Sequence, residues 1–336
     1  MGNLILAELT KPTGLWESII YWIESGVLNY GLTVILFTLM LKVLLSPLDF
    51  FIKYTSKRST LIQKKVSPQV AKLQKKYANN QSALQAQMNA LYKKEGLNMV
   101  TSCLVMLVNL ILTLVIFFTM FASLRNISAY KMVKQYEDLE ATYAKYATQE
   151  EKENAVIARY AETKDSFLWI NNIWRPDTWA SQIPTYAELK GAVRSSSKEY
   201  KEYVENINEE QYEKVMTPIR EANPGWNGYL ILAVFAGVMA YLSQKIIEKS
   251  NDIKGVRDPQ IKTNQSLSIL KLLLPAINVI FILTSNAAFG LYLLTSTVAT
   301  TLLSLVINIL VRKSTRKLEE ETKQVLLKQE QKLIKG

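Results

Sequence analysis

Apolar residues in this chain gather into five runs, at 30–52, 99–122, 227–245, 268–284 and 287–311. Each approaches the ~20 helical residues that a hydrocarbon core of about 30 Å requires. The pattern predicts an all-α fold, a polytopic membrane protein with five transmembrane helices. As one helix, the last two runs would extend about 66 Å at a rise of ~1.5 Å per residue, roughly twice the bilayer core. They must fold back as a 268–311 hairpin, and Thr284, Ser285 and Asn286 supply the break.

Between the first two runs the pattern becomes amphipathic. In "VSPQVAKLQKKYANNQSALQAQMNALYKKEG", residues 66–96, Val66, Val70, Leu73 and Tyr77 step by four, three and four. Leu84, Met88 and Leu91 repeat the pattern after a break, so 53–98 reads as a helical hairpin. Ser67 before Pro68 predicts a helix start, Asn79 and Asn80 the turn, and Gly96 a left-handed helix end. Within 1–29, Leu15, Trp16, Ile19, Ile20 and Ile23 recur at helical spacing with Glu17 and Glu24 between them. That spacing suits a short helix lying in the membrane interface, with Trp16 and Trp22 at headgroup depth, or a simple extension of the first span.

Charge supplies the orientation. Residues 53–95 hold ten basic and one acidic side chain, 245–271 six and three, and the tail 312–336 eight and four. The segment 125–225 holds fourteen basic and seventeen acidic. By the excess of Lys and Arg in cytoplasmic connections, the hairpin, the 246–267 loop and the tail face the cytoplasm. The N-terminus and an extracytoplasmic helical segment at 123–226 face outward across the cell membrane.

Composition removes several function classes. With 336 residues, a net charge of +11 and 49% hydrophobic residues, the averages alone would suit a basic soluble protein, and the runs override them. One cysteine, Cys103, and no histidine exclude an internal disulfide, the usual zinc ligand sets and Ser/His/Asp or Cys/His catalysis. No GxxxxGK[ST] loop is present. No enzyme, cofactor or metal is expected. The opening lacks the basic start and cleavage site of a secretory signal, and Leu6 breaks the myristoylation pattern, so the first segment is expected to stay.

The order of parts resembles the YidC/Oxa/Alb membrane protein insertases. The resemblance rests on "LKVLLSPLDFFIKYTSKRS" (41–59), "LQKKYANNQSALQAQMNALYKKEGLN" (73–98), "SFLWINNIWRPD" (166–177) and "LLLPAINVIFILTSNAAFGLYLLTS" (272–296). It implies an insertase and chaperone acting on nascent membrane protein clients, with the ribosome and a general translocon as further partners. It also implies a hydrophilic intramembrane groove, open to cytoplasm and lipid and closed to the outside, with one basic residue in the first span. Lys42 takes that place, where the family more often has arginine; lysine keeps the charge but loses the planar two-bond fork. The second span departs from the family pattern, with Asn98-Met99, "SCLVMLV" and Asn109 in place of prolines and a glutamine. The additions around 130–165 and 186–221 are acidic and tyrosine-rich.

A charge at mid-bilayer costs about 2.5 to 3.5 kcal/mol on insertion scales. Polar residues that can offset it are Asn109 and Thr113 on the second span, Asn278 on the fourth, and Thr297, Thr301, Ser304 and Asn308 on the fifth. They line a groove, or they let helices pack closely and hydrogen-bond across an interface; Lys42 docks client carboxylates, or snorkels to the cytoplasmic edge. On the hairpin, Lys64, Lys65, Lys72, Lys75 and Lys76 dock ribosomal RNA, anionic lipids or an acidic client, or serve as a positive-inside anchor. The tail contacts ribosomes, as the resemblance implies, or is an ordinary membrane-flanking helix. A polytopic transporter or channel is the alternative function, although the inverted repeats it favours are absent from the sequence. An anchored receptor leaves the hairpin unexplained.

Overall fold

The structure, a computed structural model, describes residues 9–251 and 265–335. Among the described residues it is built of α-helices and contains no strand beyond two isolated bridges. The helices are α1 (Leu15–Val27), α2 (Tyr30–Lys76), α3 (Gln81–Lys94), α4 (Met99–Ala144), α5 (Gln149–Thr163), α6 (Tyr186–Val193), α7 (Lys198–Glu205), α8 (Glu209–Ala222), α9 (Ile231–Asn251), α10 (Gln265–Thr284) and α11 (Ala287–Lys335). Most of the connection expected at 246–267 lies outside the described residues.

Three helical stretches are long and apolar enough to cross a membrane: Tyr30–Lys76, Leu107–Ala144 and Ala287–Lys328. The apolar part of α9, Ile231–Ile246, is shorter, and α10 holds 20 residues. The break expected at 284–286 falls where α10 ends and α11 begins.

One expectation changes, and one open alternative is decided. The helix start at Ser67 is absent, because α2 continues for 47 residues through both Pro47 and Pro68. A proline inside a helix strands the carbonyl four residues back. Here the preceding serine bonds that same carbonyl: Ser46 Oγ donates to Val43 O at 2.8 Å and Ser67 Oγ to Lys64 O at 2.9 Å. Nor is α1 an extension of the first span. Leu28 adopts the left-handed conformation (φ 56°) and closes α1 through its N–H to Glu24 O, after which the Asn29 side chain accepts from Leu32 N at 3.0 Å and caps α2.

The chain forms two compact units. One comprises residues 42–115, 242–269 and 299–336. In it, α3 is capped by Asn80, whose side chain accepts from Ala83 N, and Gly96 (φ 74°) closes it with Leu97 N bonded to Tyr92 O. Ile62, Val66, Tyr92 and Leu97 form the apolar seam between α2 and α3, joined by Val70, Met88, Leu91 and Leu318.

The other unit comprises residues 1–41, 116–241 and 270–298. Its core is tyrosine-rich: Tyr136, Tyr160, Tyr200 and Tyr212 are fully buried. Two of the hydroxyls tie segments together, Tyr212 donating to Pro184 O at 3.0 Å and Tyr200 to Thr10 O at 2.6 Å. Capping boxes start α5 (Thr148 with Glu151) and α6 (Thr185 with Glu188). The acidic, tyrosine-rich additions are therefore a folded helical domain.

A loop knot fastens that domain to its spans. The buried Asn227 donates to Asn172 O and Pro176 O and accepts from Asn172 N. Buried Asp177 accepts from Tyr229 N, just before α9, and from Leu232 N in its first turn, a backbone donor with no partner inside the helix. Gly228 is required there, since a side chain would collide with the Asp177 carboxylate. The first three N–H groups of α11 are likewise satisfied, Ala287 by Arg175 O, Ala288 by Ile173 O and Phe289 by the Asn286 side chain.

Candidate functional site

Within the unit containing residues 42–115, Lys42, Asp49 and Lys53 succeed one another along α2 at intervals of seven and four, which places them on one helix face. All three are half-buried, whereas Val43 and Leu44 beside them are 63% and 73% exposed. The charges thus sit on the inward face and the alkyl groups on the open one. Asp49 interacts electrostatically with both lysines, and the Lys53 Nζ is buried without a hydrogen-bond acceptor. Lys42 was legible in the sequence; Asp49 and Lys53 were missed. The seven-and-four spacing from Lys42 was the signal that would have found them.

The polar positions on the other helices separate by environment. On α11, Thr301 and Ser304 are buried, Asn308 is half-buried, and Leu302, Val306 and Ile309 are exposed. The polar stripe is therefore the packed side of α11. Asn109 on α4 is half-buried, but Thr113 is exposed beside Leu110 and Leu114 and leaves the inward face. Asn278 and Thr297, both half-buried, belong to the other unit, and Thr297 donates to Leu293 O in its own helix.

The hairpin lysines also divide. Lys65 is held by Glu95 and Glu321, both at 3.0 Å. Hydrogen bonds from Glu321 and Glu95 raise its pKa above the ordinary lysine value, burial opposing only weakly. It is engaged by both carboxylates within the chain. Lys64 is half-buried and engaged. Lys72, Lys75 and Lys76 are exposed, and Lys72, Lys76 and Lys94 rim a cleft of about 460 Å³ between α2 and α3.

The tail, read as a ribosome contact or a membrane-flanking helix, is the continuation of α11. Leu326 and Leu318 pack on Leu61 of α2, and the Thr322 hydroxyl bonds Leu318 O at 2.7 Å and Leu61 O at 3.3 Å. Among the described residues no cluster of three or more acidic or cysteine ligands is placed to hold a metal.

The profile of the 60Kd inner membrane protein family matches residues 22–315, spanning the α2 stripe, the hairpin, the loop knot and the apolar part of α11. The chain belongs to the 60Kd inner membrane protein family. Relatives named membrane protein insertase YidC include one from Clostridium perfringens, 28% identical over 149 residues, 44% of this chain and 46% of the relative. Another, from Clostridium tetani, is 38% identical over 79 residues, 24% of this chain and 34% of the relative. A third, from Chlorobium limicola, is 28% identical over 119 residues, 35% of this chain and 20% of the relative. The chain thus matches less than half the length of each. With this family and its long apolar helices, the protein is a multi-pass protein of the cell membrane. The α11 residues that pack on α2 beyond 315 fall outside the family match.

Proposed function

We propose that this 60Kd inner membrane family protein is a membrane protein insertase and chaperone. The supporting observation is the Lys42–Asp49–Lys53 face of α2, three ionisable groups turned away from the exposed alkyl side of a helix long enough to cross the membrane. Intramembrane charge is expensive and marks function when it faces an interior. Names of relatives point the same way.

In this reading Lys42 attracts the carboxylates of a client's short translocated segment, and Asp49 tempers the field so that release follows. Asn109 and Asn308 of the same unit supply further polar lining, and the client's apolar span leaves sideways into lipid. Its burial contributes on the order of 25 cal/mol per Å² of apolar surface, so no bond is broken by the chain. The N-terminus and the 123–226 domain face outward, and the hairpin faces nascent clients on the ribosome or beside a general translocon. Lys72, Lys75 and Lys76 are among its exposed cations, with Lys93 and Lys94.

The test is complementation of insertase-depleted cells by wild type, Lys42→Arg or Lys42→Ala at matched levels, scoring translocation of a client's acidic N-terminal tail. Wild type and arginine are expected to support translocation, and alanine to reduce it at least tenfold. Alanine working as well as lysine overturns the docking role. A wild-type chain that never complements favours the transporter.

A further inference from the structure

A second polar site lies within the unit that holds the 123–226 domain, where the apolar run of α4 ends at Phe121 and α10 gives way to α11. A cavity of about 440 Å³ opens there, in the size range of small-ligand sites. Its lining includes four aromatic rings, Phe121, Phe281, Phe289 and Trp174, and two guanidiniums, Arg125 and Arg175. The rings belong to a larger cluster, with Phe121 and Phe281 centroids 5.9 Å apart and Phe121 and Phe289 4.9 Å apart.

The arginines are incompletely satisfied. Arg175, 5% exposed, makes a two-bond pair with Glu188 at 3.0 and 2.6 Å, and Arg125 donates Nη2 to Ser195 O at 2.8 Å while lying over the Phe121 ring at 5.4 Å. Yet the Nε of each is buried with no acceptor. A buried donor left unpaired is unfavourable, and two guanidiniums against one carboxylate leave the cavity positive. The missing partner is an oxyanion with several acceptor oxygens, and the aromatic lining, continuous with the membrane-crossing helices, selects an oxyanion attached to an apolar tail.

We infer that this cavity binds the phosphodiester headgroup of an anionic phospholipid from the leaflet next to the 123–226 domain. The phosphate oxygens accept from Arg125 and Arg175, and the glycerol end of the acyl chains lies against Phe121 and Phe281. A free phosphate shares the head chemistry but makes no use of the aromatic lining.

The experiment is native mass spectrometry of the full chain released from micelles containing phosphatidylglycerol or phosphatidylcholine, with and without inorganic phosphate. Wild type is expected to retain one phosphatidylglycerol, to discard phosphatidylcholine, and to keep the lipid in millimolar phosphate. Arg125→Gln removes a charged donor and should weaken retention by about tenfold or more. Ser285→Glu places a carboxylate at the half-buried rim of the cavity without touching either arginine, and should do the same in a chain with unchanged thermal unfolding. Equal retention of the two lipids, retention unchanged in Ser285→Glu, or displacement by phosphate alone each overturns the inference. So does selective displacement by an acidic peptide, which would assign the cavity to a protein segment.

Discussion

A single side chain in this protein is defined as much by what it faces as by what it is. Lys65 and Lys72 are seven apart on α2 and read alike in sequence, yet Lys65 is clamped by two carboxylates while Lys72 is exposed. Glu188 shows the same dependence. Burial pushes its carboxyl up, but hydrogen bonds from Arg175 and Thr185 outweigh this and hold it below the ordinary value of 4.5. A carboxylate with a depressed folded pKa stabilises the fold above its unfolded pKa, and that contribution is lost as pH falls through the folded value. The melting temperature of the purified protein should therefore fall below pH 4.5 more steeply in wild type than in Glu188→Gln. The variant should melt lower at pH 7, where Arg175 is left buried and unpaired, and the two should converge near the acid end. Parallel curves would remove Glu188 from the acid response.

At the scale of elements, α2 and α11 are each far longer than a bilayer is thick. At ~1.5 Å per residue, 47 and 49 residues extend about 70 Å each, so both helices leave the membrane and continue. Their extensions meet through Leu61, Leu318 and Leu326 and through the Lys65 clamp, which also reaches Glu95 beside α3. Partly exposed ion pairs contribute about 1 kcal/mol or less. Lys65→Ala is expected to lower hydrogen-exchange protection of residues 318–326 about two- to fivefold while leaving α8 unchanged. No change at 318–326 would mean that the apolar contacts alone hold the extension. The two Ser-Pro pairs show why the hairpin boundary was misread. Proline at a helix start and proline inside a helix look the same until the serine hydroxyl is seen on the stranded carbonyl.

For the whole molecule, the proposed orientation follows from the lysine-rich hairpin and the acidic domain lying on opposite ends of the apolar runs. Since Cys103 is the sole cysteine, Cys103→Ser gives a background for single cysteines at Glu150 or Lys75. A membrane-impermeant maleimide added to intact cells should label Glu150→Cys and spare Lys75→Cys, with both labelled after lysis. The reverse pattern would sink the proposed orientation, and with it the delivery of clients from the cytoplasmic side.

The sequence by itself determined the helical class, the long apolar runs, the turn at Asn79–Asn80, the glycine helix end at Gly96 and the presence of a charge within the first run. These are properties of local period and turn chemistry, carried by residues a few positions apart. Tertiary structure alone decided that Asp177 caps α9, that Arg175 pairs with Glu188 beside the cavity, that Thr301 and Ser304 pack while Thr113 is exposed, and that Glu321 holds Lys65. The physical reason is distance along the chain. Asp177 and Leu232 are 55 positions apart and Lys65 and Glu321 256 apart, and no periodicity links residues that only folding brings together.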